Sequence, residues 1–150
     1  MSLNYQTARD IDTNLKASSK YRKVLTYEGY SYPVIPVTAN TYKTGKHGAA
    51  KTRMLLKNYF TESTFATILD SDAKFFDMES STCFSLCEGV IESTTSTGYW
   101  ILDSNYESLF ITHSNPKKEN IDLQVGYVKW TLDNETCYKI RSIGTDLVDA

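Results

Sequence analysis

The chain has 150 residues and a formal net charge of −2, and 41% of its residues are hydrophobic and 13% aromatic. This composition excludes a disordered chain, and the length allows one domain or two small ones. No run approaches the roughly 18 apolar residues of a membrane span, so we expect no association with a membrane. The first ten residues lack the apolar segment of a signal peptide, which favours a cytoplasmic protein.

The first half of the chain predicts a tail followed by short strands. Residues 1–18 are polar and weakly patterned, which is typical of a mobile, irregular tail. Alternating and β-branched runs then predict strands over Tyr21–Tyr27, Tyr32–Ala39, Lys51–Phe60 and Thr64–Leu69. Pro33 and Pro36 cannot donate to a ladder, so the second strand is expected at a sheet edge or a bulge. Short strands with tight connections predict a small barrel over residues 19–78.

The second half, residues 79–150, predicts another small β domain. Its strands are expected over Thr82–Glu92, Tyr99–Asp103, Ser108–His113 and Asn134–Ile143. One short helix is predicted from Pro116 onward, because Ile121, Val125 and Val128 recur at i, i+4 and i+7. Strands, one helix and a final strand fit an OB-fold, a five-stranded barrel that commonly binds oligonucleotides.

Charge is divided unevenly between the two halves. Residues 1–76 carry eleven Lys/Arg against six Asp/Glu (+5), and residues 77–150 carry five against twelve (−7). No acidic residue lies between Glu28 and Glu62, so a basic loop in this stretch is expected to lack a counterion. A basic face of this kind is typical of a module that is steered by RNA phosphates.

The cysteines and histidines do not predict a metal or redox site. Cys83, Cys87 and Cys137 are interpreted as reduced packing residues, as is usual in the cytosol. The two histidines, His47 and His113, are far apart in sequence and complete no ligand pattern. We therefore expect no bound cofactor.

The most specific pattern is a lysine bracketed by glycines between the second and third strands, in the run KTGKHGAAK from Lys43 to Lys51. Gly45 and Gly48 permit a sharp reversal, because glycine adopts positive φ at little steric cost, and this puts Lys46 at the tip. One interpretation is a solvated hairpin tip that happens to be basic. A phosphate-binding P-loop is excluded, since the motif requires glycine where Asn40 stands and Ser or Thr after the lysine.

The run KTGKHGAAK resembles the modification loop of the translation initiation factor 5A family, whose bacterial relative is elongation factor P. The resemblance implies a mainly all-β chain with an SH3-like barrel over residues 19–78 that carries the loop, and an OB-fold domain over residues 79–150. It also implies that Lys46 is converted to hypusine with an aminobutyl group from spermidine. Deoxyhypusine synthase would make this change, with deoxyhypusine hydroxylase if the product is hydroxylated.

The resemblance further implies a function on the ribosome. The family binds the large subunit at the tRNA exit (E) site and extends the modified lysine toward peptidyl-tRNA, which relieves stalling at polyproline and assists termination. The residues that would contact RNA around Lys46 are Lys43, Thr44, Gly45, His47, Gly48 and Lys51.

Two other classes of protein remain open from the residues. An unmodified RNA-binding module could use the OB-like half, although the −7 balance of residues 77–150 disfavours general RNA binding. An enzyme is disfavoured, because no catalytic triad, supported carboxylate pair or metal set is evident.

Overall fold

A computed structural model describes residues 4–45 and 48–148. The chain divides into two compact units between Ser81 and Thr82. Within the described residues each unit contains one six-stranded antiparallel sheet. In the same residues no helix has the length and apolarity that crossing a membrane requires. The predicted fold class is confirmed: the chain is mainly β, with two small β domains in series.

The first unit is built from six strands and one helix. Their bounds are β1 (Tyr5–Thr7), α1 (Ala8–Ala17), β2 (Leu25–Tyr27), β3 (Tyr30–Lys43), β4 (Ala50–Asn58), β5 (Thr64–Asp70) and β6 (Lys74–Asp77). The strand order across the sheet is β1-β6-β2-β3-β4-β5. Its core consists of Ala8, Ile11, Leu25, Tyr27, Val34, Met54, Leu56 and Phe75.

Both prolines of β3 lie at irregularities of the ladder rather than at a sheet edge: Pro33 where the pairing with β2 shifts register, and Pro36 at a bulge opposite β4. β3 lies between β2 and β4. Pro36 pairs with Leu56 and Thr38 pairs with Leu55, so Val37 is an extra residue in the ladder. A bulge interrupts the ladder where proline has no N–H to donate. It also allows β3 to continue as far as Lys43, four residues beyond the predicted end at Ala39.

The prediction of an irregular tail over residues 1–18 is wrong for residues 5–17. Thr7 caps α1: its side-chain oxygen accepts from the amide of Asp10 (3.1 Å), and its own amide donates to the Asp10 carboxylate (3.0 Å). Ala8 and Ile11 are fully buried in the core of the first unit. The apolar face of a short helix is therefore what fixes this segment.

Two further elements of the first unit differ from the prediction. The strand expected from Tyr21 begins at Leu25. β6 lies in an acidic, polar segment for which no strand is predicted, and it pairs with both β1 and β2. Neither pairing is local in sequence, so no turn signal announces it.

The second unit contains the other six strands. Their bounds are β7 (Phe84–Thr94), β8 (Gly98–Asp103), β9 (Ser108–Thr112), β10 (Gln124–Leu132), β11 (Glu135–Ile143) and β12 (Asp146–Leu147), in the order β12-β11-β10-β7-β8-β9. Its core consists of Ile91, Tyr99, Ile101, Ile111, Val125, Tyr127 and Ile140. The buried Tyr99 hydroxyl accepts from the amide of Lys117 (2.7 Å) and from Asn120 Nδ2 (3.0 Å), which ties the β9–β10 connection to the core.

The helix predicted from Pro116 to Val128 is wrong. One turn of 3-10 helix covers Lys118–Asn120, and the chain then enters β10. β10 pairs with β7 on one side and β11 on the other, so its backbone groups are satisfied between strands. Val125 and Val128 face opposite sides of β10 and are both fully buried, so their spacing reflects burial on both faces of a strand and not one face of a helix.

Candidate functional site

The candidate site is the hairpin that β3 and β4 form around the KTGKHGAAK run. The last paired residues are Lys43 and Ala50. The hydroxyls of Thr41 and Thr52 lie 3.0 Å apart across the two strands, and Thr52 is fully buried. Such cross-strand threonine pairs fix the register, at about 0.2–1 kcal/mol each. The buried root of the hairpin therefore fixes the register in which β3 ends before the loop and β4 begins after it.

The loop closes between its two glycines. The amide of Gly48 donates to the carbonyl of Gly45 (3.2 Å), so the residues on either side of Lys46 and His47 lie close together. Lys46 and His47, the predicted modification site and its neighbour, lie outside the described residues. Gly45 is exposed, and a Cβ built there would meet no heavy atom of residues 4–45 and 48–148 within 4 Å. Packing among these residues therefore does not explain why glycine stands there.

The predicted RNA-contacting residues fall into two groups. Lys43, Thr44 and Gly45 are exposed on the approach to the tip, and Lys43 ends β3. Lys51 lies within β4 and forms an ion pair with Asp70 of β5. The Lys51 ammonium also donates a hydrogen bond to the Asp70 carboxylate. This hydrogen bond, together with the charge of Asp70, raises the pKa of the Lys51 ammonium. The expectation of a basic loop without a counterion is therefore wrong for Lys51, because strand pairing brings Asp70 beside it.

Helix α1 meets the hairpin root at Ser71, a contact that the sequence analysis missed. The amide of Arg9 donates to the carbonyl of Ser71 (3.0 Å), and Arg9 Nη2 donates to the Ser71 hydroxyl (3.3 Å). The amide of Ser71 in turn donates to the carbonyl of Ala50 (3.1 Å), which is the first paired residue after the loop. Ser71 thus connects the beginning of α1 to the point where β4 begins.

A buried carboxylate connects the same helix to β3. Asp12 is 6% exposed, and its Oδ1 lies 2.9 Å from Lys16 Nζ. Burial alone would raise the pKa of this carboxyl, but the Lys16 ammonium and hydrogen bonding with Thr41 outweigh it and hold the pKa below its ordinary value. Lys16 Nζ also approaches Asn40 Oδ1 at 3.5 Å. Helix and hairpin are therefore linked through charged and polar groups as well as through apolar packing.

An aromatic–cation pair lies on the hairpin itself. The guanidinium carbon of Arg53 lies 5.9 Å from the centre of the Tyr42 ring. The two residues are diagonal neighbours, since Tyr42 pairs with Lys51 and Asn40 with Arg53. Stacking of this kind keeps a long basic side chain along the strand surface close to the loop.

An open cleft of about 490 Å³ lies beside the loop. It is lined by Arg9, Lys43, Gly48, Ala49, Ala50, Asp70, Ser71 and Asp72. This volume lies within the usual range of small-ligand sites. Its lining contains two cations, two carboxylates and a hydroxyl, which suits a polar ligand better than an apolar one. In the described parts of the chain, no three or more His, Cys, Asp or Glu side chains come together as metal ligands would.

The sequence held partial signals for these missed residues. The threonine and aspartate three residues apart at Thr7 and Asp10 form a capping box, which marks the start of α1. Arg9, Asp12 and Ser71 carry no motif of their own, and only the packing of α1 against the sheet brings them to the hairpin.

Comparisons with known proteins identify the fold. No protein-family model matches the chain, and no curated protein matches it by sequence. Among solved structures, it is similar to eukaryotic translation initiation factor 5A from Methanococcus jannaschii, with a TM-score of 0.54 and 19% identity over 91% of each chain. It also matches a translation initiation factor eIF-5A family protein from Naegleria fowleri, with a TM-score of 0.46 and 12% identity over 93% of this chain and 99% of the other. The likeness to the Methanococcus protein shows the same two-domain β fold.

Proposed function

We propose that this chain is a translation elongation and termination factor that acts in the cytoplasm on the large ribosomal subunit, at the E site. Lys46, modified by deoxyhypusine synthase and, if the product is hydroxylated to hypusine, by deoxyhypusine hydroxylase, positions peptidyl-tRNA and relieves stalling at polyproline and similar sequences. The ribosome carries out the peptide-bond chemistry, and this chain contributes geometry.

One observation carries the proposal: the KTGKHGAAK run occupies the β3–β4 loop of a chain with the two-domain fold of a translation initiation factor 5A. The run alone is a motif, and the fold alone hosts unrelated functions. A specific motif at a hairpin loop within that fold supports the function more strongly than either does separately.

The chemistry of the loop fits this function. Proline lacks an amide hydrogen and its φ is fixed, so proline-rich nascent chains and their attacking nitrogens align poorly. Correct positioning of reactants contributes about 7–11 kcal/mol relative to free encounter. Lengthening Lys46 by an aminobutyl unit would add reach and a second cationic nitrogen for tRNA sugar and phosphate. The exposed Lys43 adds a charge beside it, and the exposed Gly45 has no side chain to obstruct RNA.

The direct test is a reconstituted translation reaction that compares a polyproline reporter with a proline-free reporter. Modified wild-type protein is expected to accelerate only the polyproline reporter. Lys46→Arg keeps the charge but cannot receive the aminobutyl group as lysine does, so it should lose that acceleration. Lys57→Arg, at the far end of β4, is the matched control and should behave as wild type. Full activity of Lys46→Arg would contradict the proposal.

A further inference from the structure

The sheet of the second unit carries an apolar surface on the side away from its core. In β7 the side chains alternate: Cys87 and Ile91 belong to the core or pack against it. Leu86 and Val90 point to the other face, where they are 57% and 41% exposed. Alternate residues of a strand face opposite sides of a sheet, so this outer face continues onto the neighbouring strands.

β8 and β9 extend the surface with two aromatic rings. Trp100 pairs with Phe110 across the two strands, their ring centroids are 5.3 Å apart, and Trp100 is 42% exposed. Leu102 pairs with Val90 and joins the rings to β7. We call the set Leu86, Val90, Trp100, Leu102 and Phe110 the outer strip.

Carboxylates border the outer strip on the same face. Glu88 accepts from Gln124 Nε2 (3.2 Å), and Glu92 accepts from the Ser108 hydroxyl (3.0 Å). Both glutamates are exposed and retain oxygen lone pairs for a further donor. Residues 84–112, which contain all three strands, include no lysine or arginine and four carboxylates: Glu88, Glu92, Asp103 and Glu107.

The charge of this surface decides what it can bind. OB-folds commonly bind oligonucleotides on the corresponding strands, and exposed aromatic rings there stack on bases. Nucleic-acid binding, however, depends on cations that neutralise phosphates, and these strands provide only anions. An aromatic surface bordered by carboxylates is instead complementary to a cationic partner with an apolar stem.

We propose that the outer strip binds a basic polypeptide segment rich in arginine or lysine. One arginine side chain of the partner stacks its guanidinium on Trp100 and donates to Glu92, and a second basic side chain lays its methylene stem along Val90 and Leu102 and donates to Glu88. This proposal does not depend on the function of the Lys46 loop, because it concerns residues of the second unit alone.

The test uses nuclear magnetic resonance on the full-length ¹⁵N-labelled protein. The two tryptophans are reporters within one molecule, since Trp100 is exposed and Trp130 is 2% exposed. Titration with a short synthetic peptide of alternating arginine and glycine should shift the Trp100 indole signal and leave that of Trp130 in place. The same peptide with glutamate for arginine should shift neither signal.

Variants distinguish peptide binding at the outer strip from nonspecific electrostatic attraction of a basic peptide to an acidic domain. Trp100→Ala, and separately Glu88→Gln with Glu92→Gln, should each weaken peptide binding about tenfold or more. The double glutamine variant keeps the shape of the surface, so it reports on charge even if Trp100→Ala disturbs the fold. Leu147→Ala on β12, at the opposite edge of the sheet, and Asp133→Asn in the β10–β11 turn are matched controls and should bind as wild type.

Three outcomes would overturn the proposal. One is peptide binding that these variants leave unchanged. Another is a Trp100 shift produced by oligouridine RNA and not by the arginine peptide, which would make the face an RNA surface. The third is a concentration-dependent dimer that buries Trp100 without any peptide, which would make the occupant a second copy of this chain.

Discussion

The ammonium of Lys51 is paired with the carboxylate of Asp70, on the strand next to the loop hairpin. This contact gives the two lysines that flank the loop different electrostatic surroundings. Lys43 is exposed at the end of β3, whereas the charge of Lys51 is already compensated by Asp70. The loop therefore presents a more asymmetric charge than its sequence suggests.

The first prediction concerns these two lysines. Lys43→Ala should weaken ribosome binding and reduce the slope of log affinity against log salt by about 1, as expected for the loss of one phosphate contact. Lys51→Ala should change the slope much less, because Asp70 already neutralises that charge. Asp70→Asn, which releases the charge of Lys51, should increase the slope. Equal losses from Lys43→Ala and Lys51→Ala would show that the ion pair does not govern binding.

The second prediction concerns Gly45. A methyl group at this position meets none of the residues that the structure describes, so Gly45→Ala should keep the free energy of unfolding within about 0.5 kcal/mol of wild type in urea. If RNA approaches the backbone there, the same variant should stimulate the polyproline reporter less. A Gly45→Ala protein that is stable and fully active would exclude close approach at this residue.

The third prediction tests helix α1. Ile11 is fully buried, so Ile11→Ala should lower the free energy of unfolding by about 2–5 kcal/mol in a urea titration. Thr13→Ala, on the exposed side of the same helix, is the control and should be near neutral. A small effect of Ile11→Ala would mean that residues 5–17 do not stabilise the first unit.

The fourth prediction concerns pH. The pKa of Asp12 is lower in the folded state than the ordinary value of about 3.9, so its ionised form stabilises the fold above that value. This stabilisation is lost as the pH falls through the folded-state pKa. Asp12→Asn should therefore cost about 1–3 kcal/mol at neutral pH, typical for a hydrogen bond to a charged group. The difference from wild type should begin to shrink as the pH falls toward about 4, and it should disappear only below the folded-state pKa.

Asp72→Asn is the control for this measurement, because Asp72 is exposed. Urea unfolding of both variants and wild type across the acid range gives the comparison. A cost of Asp12→Asn that stays constant down to the lowest pH would mean that the charge of Asp12 is not what stabilises the helix against β3.

Local sequence patterns predict a strand correctly where the cause of its structure lies within the strand itself. The alternation of Phe65, Thr67 and Leu69 predicted one face of β5, and these three residues are its more buried ones. Pro36 predicted an edge or a bulge, and a bulge follows it. In both cases the cause lies within a few residues: side-chain alternation, or a missing amide hydrogen.

Non-local pairing explains what the sequence did not reveal. The spacing of Ile121, Val125 and Val128 fits a helix, but pairing of β10 with two neighbours favours a strand. Lys51 and Asp70 meet only because β4 and β5 adopt one particular register. By contrast, α1 could have been predicted, since Thr7 and Asp10 form its capping box and Ile11 begins its buried face.

The proposed function depends on a polyamine-derived extension on Lys46, which mass spectrometry of the native protein can detect. Intact mass and peptide mapping should find one aminobutyl group, with or without an added hydroxyl oxygen, on Lys46 and on no other lysine. Native protein that carries an unmodified Lys46 and still relieves polyproline stalling would contradict the account.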